Sequence, residues 1–285
     1  LKTRISISDF LIYGNFWLAL SAALPALQTH WMLTGHWLLT PYVVFVFFSS
    51  IAAYSLHRII GLQQMHPEKY NERWAKLAAL KDLLRVSLWV SIIIAGLSFL
   101  QFTFRIQLLL LIPMSMTAGY IIPLGKMGRI LRDHNRWKII WIVFSWIWIT
   151  VLLPAAAVGF GISAPVWILG LEKGLFILAL TLPFDYRDRH IDHAKGLQTV
   201  AATLGRRGTQ KAALSALTAA AMLSAWAHHL SWFSGLQFWT GIFAYCSSAA
   251  ALLFLREDRG DYYYSGLLDG LIMLQPILLL IFSLL

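Results

Sequence analysis

The chain has 285 residues, 59% of them hydrophobic and 13% charged, and a formal net charge of +10. A mean hydropathy of +0.67 lies outside the soluble globular range and indicates a polytopic membrane protein. The single cysteine, Cys246, excludes an internal disulfide, and the positive charge requires no nucleic acid, because cytoplasmic loops of membrane proteins collect Lys and Arg.

In lipid, only helices or a closed barrel satisfy every backbone group. The apolar runs here are continuous instead of alternating every second residue, so the expected fold is an all-α bundle, one membrane domain over 1–285. Nine spans are predicted, at 8–28, 37–58, 84–103, 105–124, 138–160, 165–185, 209–229, 235–255 and 262–284. Span 1 follows Lys2 and Arg4 and ends near Ala22-Ala23-Leu24-Pro25-Ala26, much as a signal peptide does. It is read as a retained helix, since removing it would break the alternation of charged and uncharged loops.

After span 2 an amphipathic helix is expected from Pro67 to near Leu84, with Glu72 and Lys76 paired at i, i+4. Trp74, Leu77, Leu80 and Leu84 are placed to lie on the membrane or to cover a cavity mouth; a solvated connector is the plainer reading. Prolines 25, 113, 123, 154, 183 and 276 lie in or beside spans, where each removes a helix donor. Span 4 ends in Tyr120-Ile121-Ile122-Pro123-Leu124, followed by Lys126 and Arg129.

Span 6 carries Glu172 beside Lys173, read as a structural pair. It runs into Phe184-Asp185-Tyr186-Arg187-Asp188-Arg189-His190-Ile191-Asp192, with Gly196 and Thr199 beyond. Carboxylates are scarce, 13 in the whole chain. On a helix, the i, i+3, i+7 spacing puts Asp185, Asp188 and Asp192 within roughly 60° of one another. Such a face suits a divalent cation or a cation-bound phosphate; magnesium in particular takes one or two carboxylates, waters and substrate phosphates. The plainer reading is an interfacial helix end whose aspartates pair with Arg187, Arg189 and Lys195. Asp269, inside span 9, is a costly intramembrane carboxylate and hence a functional candidate, with pairing to a neighbouring helix as the equal alternative.

With the N-terminus cytoplasmic, every Lys and Arg except Arg105 and Lys173 falls in a cytoplasmic tail or loop. The aspartate run and the Tyr120 segment are then cytoplasmic, and the C-terminus lies on the opposite side.

The segment Phe184 to Thr199, closing near Leu204-Gly205, resembles the second aspartate-rich motif of the UbiA superfamily of intramembrane prenyltransferases, roughly D-x-x-D-x-x-x-D-x-x-x-G-x-x-T after the sixth helix. Tyr120 and Pro123, with Lys126 and Arg129, are similar to that family's pattern after the fourth. The resemblance implies a UbiA-like bundle with a cavity opening near the cytoplasmic side. It implies magnesium held by Asp185 and Asp188 with Asp192 in support, and an isoprenoid diphosphate held by Lys126, Arg129 and Arg58, with Tyr120 near the reacting centre. Magnesium and basic side chains would stabilise the departing diphosphate, and aromatic walls the allylic cation that an aromatic or lipid acceptor attacks. Related expectations are a terpene cyclase on the same fold, a non-catalytic isoprenoid-binding scaffold and, more distantly, a transporter.

One part of the family pattern is missing. Its first motif, approximately N-D-x-x-D, belongs at the cytoplasmic end of span 2, where this chain has Ser49-Ser50-Ile51-Ala52-Ala53-Tyr54-Ser55-Leu56-His57-Arg58. No Asp or Glu occurs between Asp9 and Glu68. Either His57 and Arg58 contact the diphosphate directly in place of one magnesium, or the protein binds or rearranges an isoprenoid lipid without ionising a diphosphate. A membrane-edge pair is the plainer reading of these two residues.

Overall fold

The computed structural model describes residues 5–66, 71–121, 137–161, 163–194, 200–256 and 258–285; for 119–121, 137 and 190–194 it describes the backbone path alone. All regular structure among the described residues is helical. Helix α1 (Ile7–Tyr13) opens with a capping box, Ser6 Oγ accepting from the Asp9 amide while Asp9 accepts from the Ser6 amide. Helix α2 (Phe16–Thr34) follows after a bend of 62°. The predicted span 8–28 is therefore not one straight helix. It breaks at Gly14-Asn15, where Asn15 takes the left-handed conformation (φ 70°) that Asn tolerates better than most residues. A Cβ on Gly14 would lie 2.4 Å from the Phe10 carbonyl oxygen and 2.9 Å from the Phe16 ring. Gly14→Ala should accordingly cost about 1–3 kcal/mol, read as a lower unfolding midpoint in detergent.

Helix α3 (Pro41–Gln64) begins with Thr40 as its cap and proline in its first turn. The expected amphipathic helix is α4 (Glu72–Ala79), started by Asn71, whose side chain accepts from the Trp74 amide. It buries Leu77 with Ile12, Tyr13, Ile59, Leu62 and Leu84, so its greasy face lies on α1 and α3. Then come α5 (Lys81–Phe99) and α6 (Phe104–Ile121). Helix α7 runs through Trp137–Ile147, a π-helical Trp148–Leu152 and Leu153–Ala157. Pro154 has no N–H to give to that turn, and the Tyr42 hydroxyl donates to the Ile149 carbonyl within it at 2.8 Å.

Helix α8 (Ala164–Ala194) continues without interruption through the aspartate run. Helix α9 (Val200–His229) carries a kink at Gly205, whose φ of 64° suits glycine. Helix α10 (Gly235–Leu253) is capped by a Ser234–Gln237 box, and α11 opens as a π-helical Tyr262–Leu268 before continuing as Asp269–Ser283. Helices α8 and α9 pack extensively against each other. Ala213, Ala216, Ala220 and Ala227 are buried on α9, where small side chains permit close approach.

Large apolar side chains face outward on α5 (Val86, Trp89, Ile93, Leu97) and α10 (Trp239, Phe243), as a lipid-facing surface requires. The chain is a multi-pass membrane protein. The described parts of the predicted spans are mostly helical, with a break at Gly14-Asn15 and non-helical ends at 37–40, 100–103, 158–160 and 254–255; six described helices are long and apolar enough to cross a bilayer, or seven with α1–α2 as one bent crossing, against the nine expected. The two shortfalls have causes. Helix α6 is described only as far as Ile121, with side chains to Ala118, and α9 is rich in small and polar residues that serve packing more than hydropathy.

Candidate functional site

Because α8 runs on past its apolar stretch, Asp185 and Asp188 are carried on one helical face into the end of the bundle where α11 begins. Asp185 is buried, with its carboxylate 2.8 Å from the ammonium of Lys138 at the start of α7. Asp188 receives a bidentate guanidinium from Arg187, at 2.7 Å through Nε and 3.2 Å through Nη2. The Nη1 of the same guanidinium lies 3.3 Å from Asp261, the residue that opens α11. Arg187 therefore bridges carboxylates of two helices, and it also stands over the Phe184 and Tyr264 rings at 5.2 and 5.0 Å. The other oxygen of Asp261 accepts from the Tyr13 hydroxyl at 3.2 Å and lies 3.5 Å from Arg73 of α4.

Helix α4 is thus tied to this end of the bundle twice. Lys76 reaches Asp9 at 3.1 Å and Glu72 at 2.9 Å and lies over the Tyr13 and Tyr262 rings, while the Tyr262 hydroxyl donates to Asp9. Glu72, and after it Asp9, hold the Lys76 ammonium above the ordinary lysine range against the opposing effect of burial. Asp185, Asp188 and Asp261 face Lys138, Arg187 and Arg73, so these six described side chains are balanced in charge.

Arg58 donates through Nη1 to the carbonyls of Ile12 (3.1 Å) and Tyr13 (2.5 Å), capping the end of α1 at the break. Its guanidinium lies 5.7 Å from the Tyr13 ring centroid. His57 is exposed. The backbone at Tyr120 and Asp192 is helical, and their side chains lie outside the described set, as do Lys126 and Arg129 altogether. Arg58→Gln should cost about 1–3 kcal/mol by leaving two carbonyls without a charged donor. Chemical denaturation in detergent measures it; unchanged stability together with weaker diphosphate binding would assign Arg58 to a ligand instead.

Lys138, Arg73 and Asp261 belong to the cluster and escaped the sequence reading. A signal for Asp261 existed: it is one of few carboxylates, and it begins a span at the end where α8 finishes. Asp269, two turns further along α11, is 7% exposed and has no hydrogen-bond or ion-pair partner for its carboxylate among the described residues.

About 18 Å along α8 from Asp185 lies a second buried polar group. Glu172 and Lys173 are 1% and 5% exposed and 3.6 Å apart, and the Lys173 ammonium donates to Gln275, while neither Glu172 oxygen has a hydrogen-bond partner. A cavity of about 10 Å³ adjoins Lys173, lined also by Gln28, Thr150, Trp146 and Phe176. It has room for about one water.

The cluster at the end of α8 fits a divalent cation by the chemistry of its donors. Each aspartate presents hard oxygens at a point where a side-chain cation already stands. Among the described residues no three His, Cys, Asp or Glu side chains converge; coordination through one or two carboxylates, waters and phosphate does not require it.

Comparison with known proteins gives a fold. No family model matches the sequence, and no curated protein does. Two solved structures align over nearly the whole chain. A UbiA homologue from Aeropyrum pernix K1 has a TM-score of 0.64 and 14% identity, over 99% of this chain and all of that one. A structure described for digeranylgeranylglyceryl phosphate synthase has a TM-score of 0.58 and 14% identity, over 98% and 97%. The fold is that of UbiA-type membrane proteins.

Proposed function

We propose that the chain is a UbiA-type prenyltransferase-like membrane enzyme that binds an isoprenoid diphosphate with magnesium and prenylates an aromatic or lipid acceptor. The observation that carries this reading is the charge-balanced cluster of Asp185, Asp188 and Asp261 with Lys138, Arg187 and Arg73, at the end of α8 in a UbiA-type fold. Asp185 and Asp188, supported by Asp192, would hold magnesium, which supplies charge neutralisation at the departing diphosphate. Side-chain cations now paired with these carboxylates become available to phosphate oxygens, so a metal diphosphate can exchange with the internal ion pairs at little change in net charge. Lys126, Arg129, Arg58 and His57 are further candidate diphosphate contacts, and Tyr120 is placed near the reacting centre. The site and the N-terminus are assigned to the cytoplasmic side by the Lys and Arg pattern.

The test is diphosphate release from prenyl diphosphates of several chain lengths, with and without magnesium, in wild type and in Asp185→Asn and Asp188→Asn. Release that needs magnesium and both aspartates supports the enzyme. Binding without release, whatever acceptor is supplied, would instead make the protein an isoprenoid-binding scaffold.

A further inference from the structure

The missing motif at the end of span 2 leaves open where the site obtains a carboxylate opposite α8. The end of α3 does not provide one: Arg58 is engaged with the α1 carbonyls and no Asp or Glu stands near it in sequence. The last span does. Asp261 is set across from Asp188, and the two hold the Arg187 guanidinium between them at 3.3 and 2.7 Å. A cation is therefore already favourable at that point, and the two carboxylates come from helices far apart in sequence, as an interhelical metal clamp requires.

A second observation concerns Asp269, on the same helix as Asp261. It is 93% buried and makes no hydrogen bond or ion pair through its carboxylate among the described residues, and the Arg187 guanidinium already lies over the ring of Tyr264, five residues before it on α11. A buried carboxylate without a partner is costly. It becomes reasonable as a place that receives Arg187 once that side chain leaves the point between Asp188 and Asp261. The dication then stands against Asp188 and Asp261 and Arg187 against Asp269; with Lys138 and Arg73 still in place the cluster carries one positive charge in excess, which an anionic diphosphate offsets. Arg73 and the Tyr13 hydroxyl remain on the far side of Asp261, fixing its orientation.

We propose that Asp261, at the start of the last span, supplies the carboxylate that span 2 lacks, and that with Asp188 it binds the divalent cation at the position the Arg187 guanidinium holds in this structure. This rests on the prenyltransferase-like reading above. Asp269 is a positioning residue, acting through Arg187.

Manganese binding to the purified protein in detergent tests it, followed by electron paramagnetic resonance with Mn²⁺ alone and no prenyl substrate. Asp188→Asn and Asp261→Asn should each weaken binding by about tenfold or more, and Asp269→Asn by a smaller factor. Asp258→Asn, on an exposed residue, should leave it unchanged. Arg187→Gln provides the readout that a purely structural role would not produce: removing the competing cation should tighten Mn²⁺ binding, while weakening binding of an isoprenoid diphosphate. If wild type binds Mn²⁺ through Asp188 but Asp261→Asn binds it equally well, the inference fails and the enzyme reading stands. If wild type binds no Mn²⁺ even with prenyl diphosphate present, both fall. Should Asp261→Asn fold poorly, Arg187→Gln decides alone: unchanged or weaker Mn²⁺ binding overturns the shared position.

Discussion

Asp188→Asn should lower magnesium-dependent diphosphate release by about 10²–10³-fold, the scale seen when one preorganised group facing a developing charge is removed. The substitution keeps the shape of the side chain and a hydrogen-bond acceptor for Arg187 but removes the charge, so the loss falls on cation binding. A raised magnesium requirement should accompany it. Asp185→Asn should act in the same direction with an added cost to folding, because it removes the negative charge 2.8 Å from the largely buried Lys138 ammonium. Comparing each variant's release rate with its unfolding midpoint separates the two effects. If the aspartates were only structural ion-pair partners, activity would fall in proportion to the folded fraction and the magnesium requirement would not move.

The largest stability effect is expected far from that site. Lys173→Met removes the cation beside Glu172, whose carboxylate is buried with no hydrogen-bond partner. Stranding one member of a buried ion pair costs about 3–5 kcal/mol, whereas replacing both members by apolar groups of similar volume is often neutral. The double variant Glu172→Leu/Lys173→Met should thus recover most of the loss. Unfolding in mixed detergent micelles reads both; a single variant no less stable than the double would show that the two residues contribute no pair energy. Gln275, which accepts from Lys173 and donates to the Gln237 carbonyl, extends this polar group across α8, α10 and α11.

Hydropathy made the helices legible, and the spacing of Asp185, Asp188 and Asp192 made it legible that α8 would continue through the aspartate run. Four things were not legible, each because it depends on contacts between distant segments. The break at Gly14-Asn15 is a local turn signal inside a run apolar enough to read as one span, and its stabilising partners, Arg58 and Ser55, come from α3. Helix α9 reads as an ordinary span until its packing on α8 explains why it is made of alanine, serine and threonine. Arg187 and Lys138 were legible as charges, but nothing in the sequence says that each faces a particular aspartate, or that Arg187 also reaches Asp261, 74 positions away. Glu172 and Lys173 were readable as a pair; their complete burial was not.

The most direct test of the account is equilibrium binding of an unreactive isoprenoid thiolodiphosphate to the purified protein, with magnesium and with a chelator in its place. The expected result is binding that needs magnesium and is lost in both Asp185→Asn and Asp188→Asn. Binding that is indifferent to the chelator and to both substitutions would contradict it.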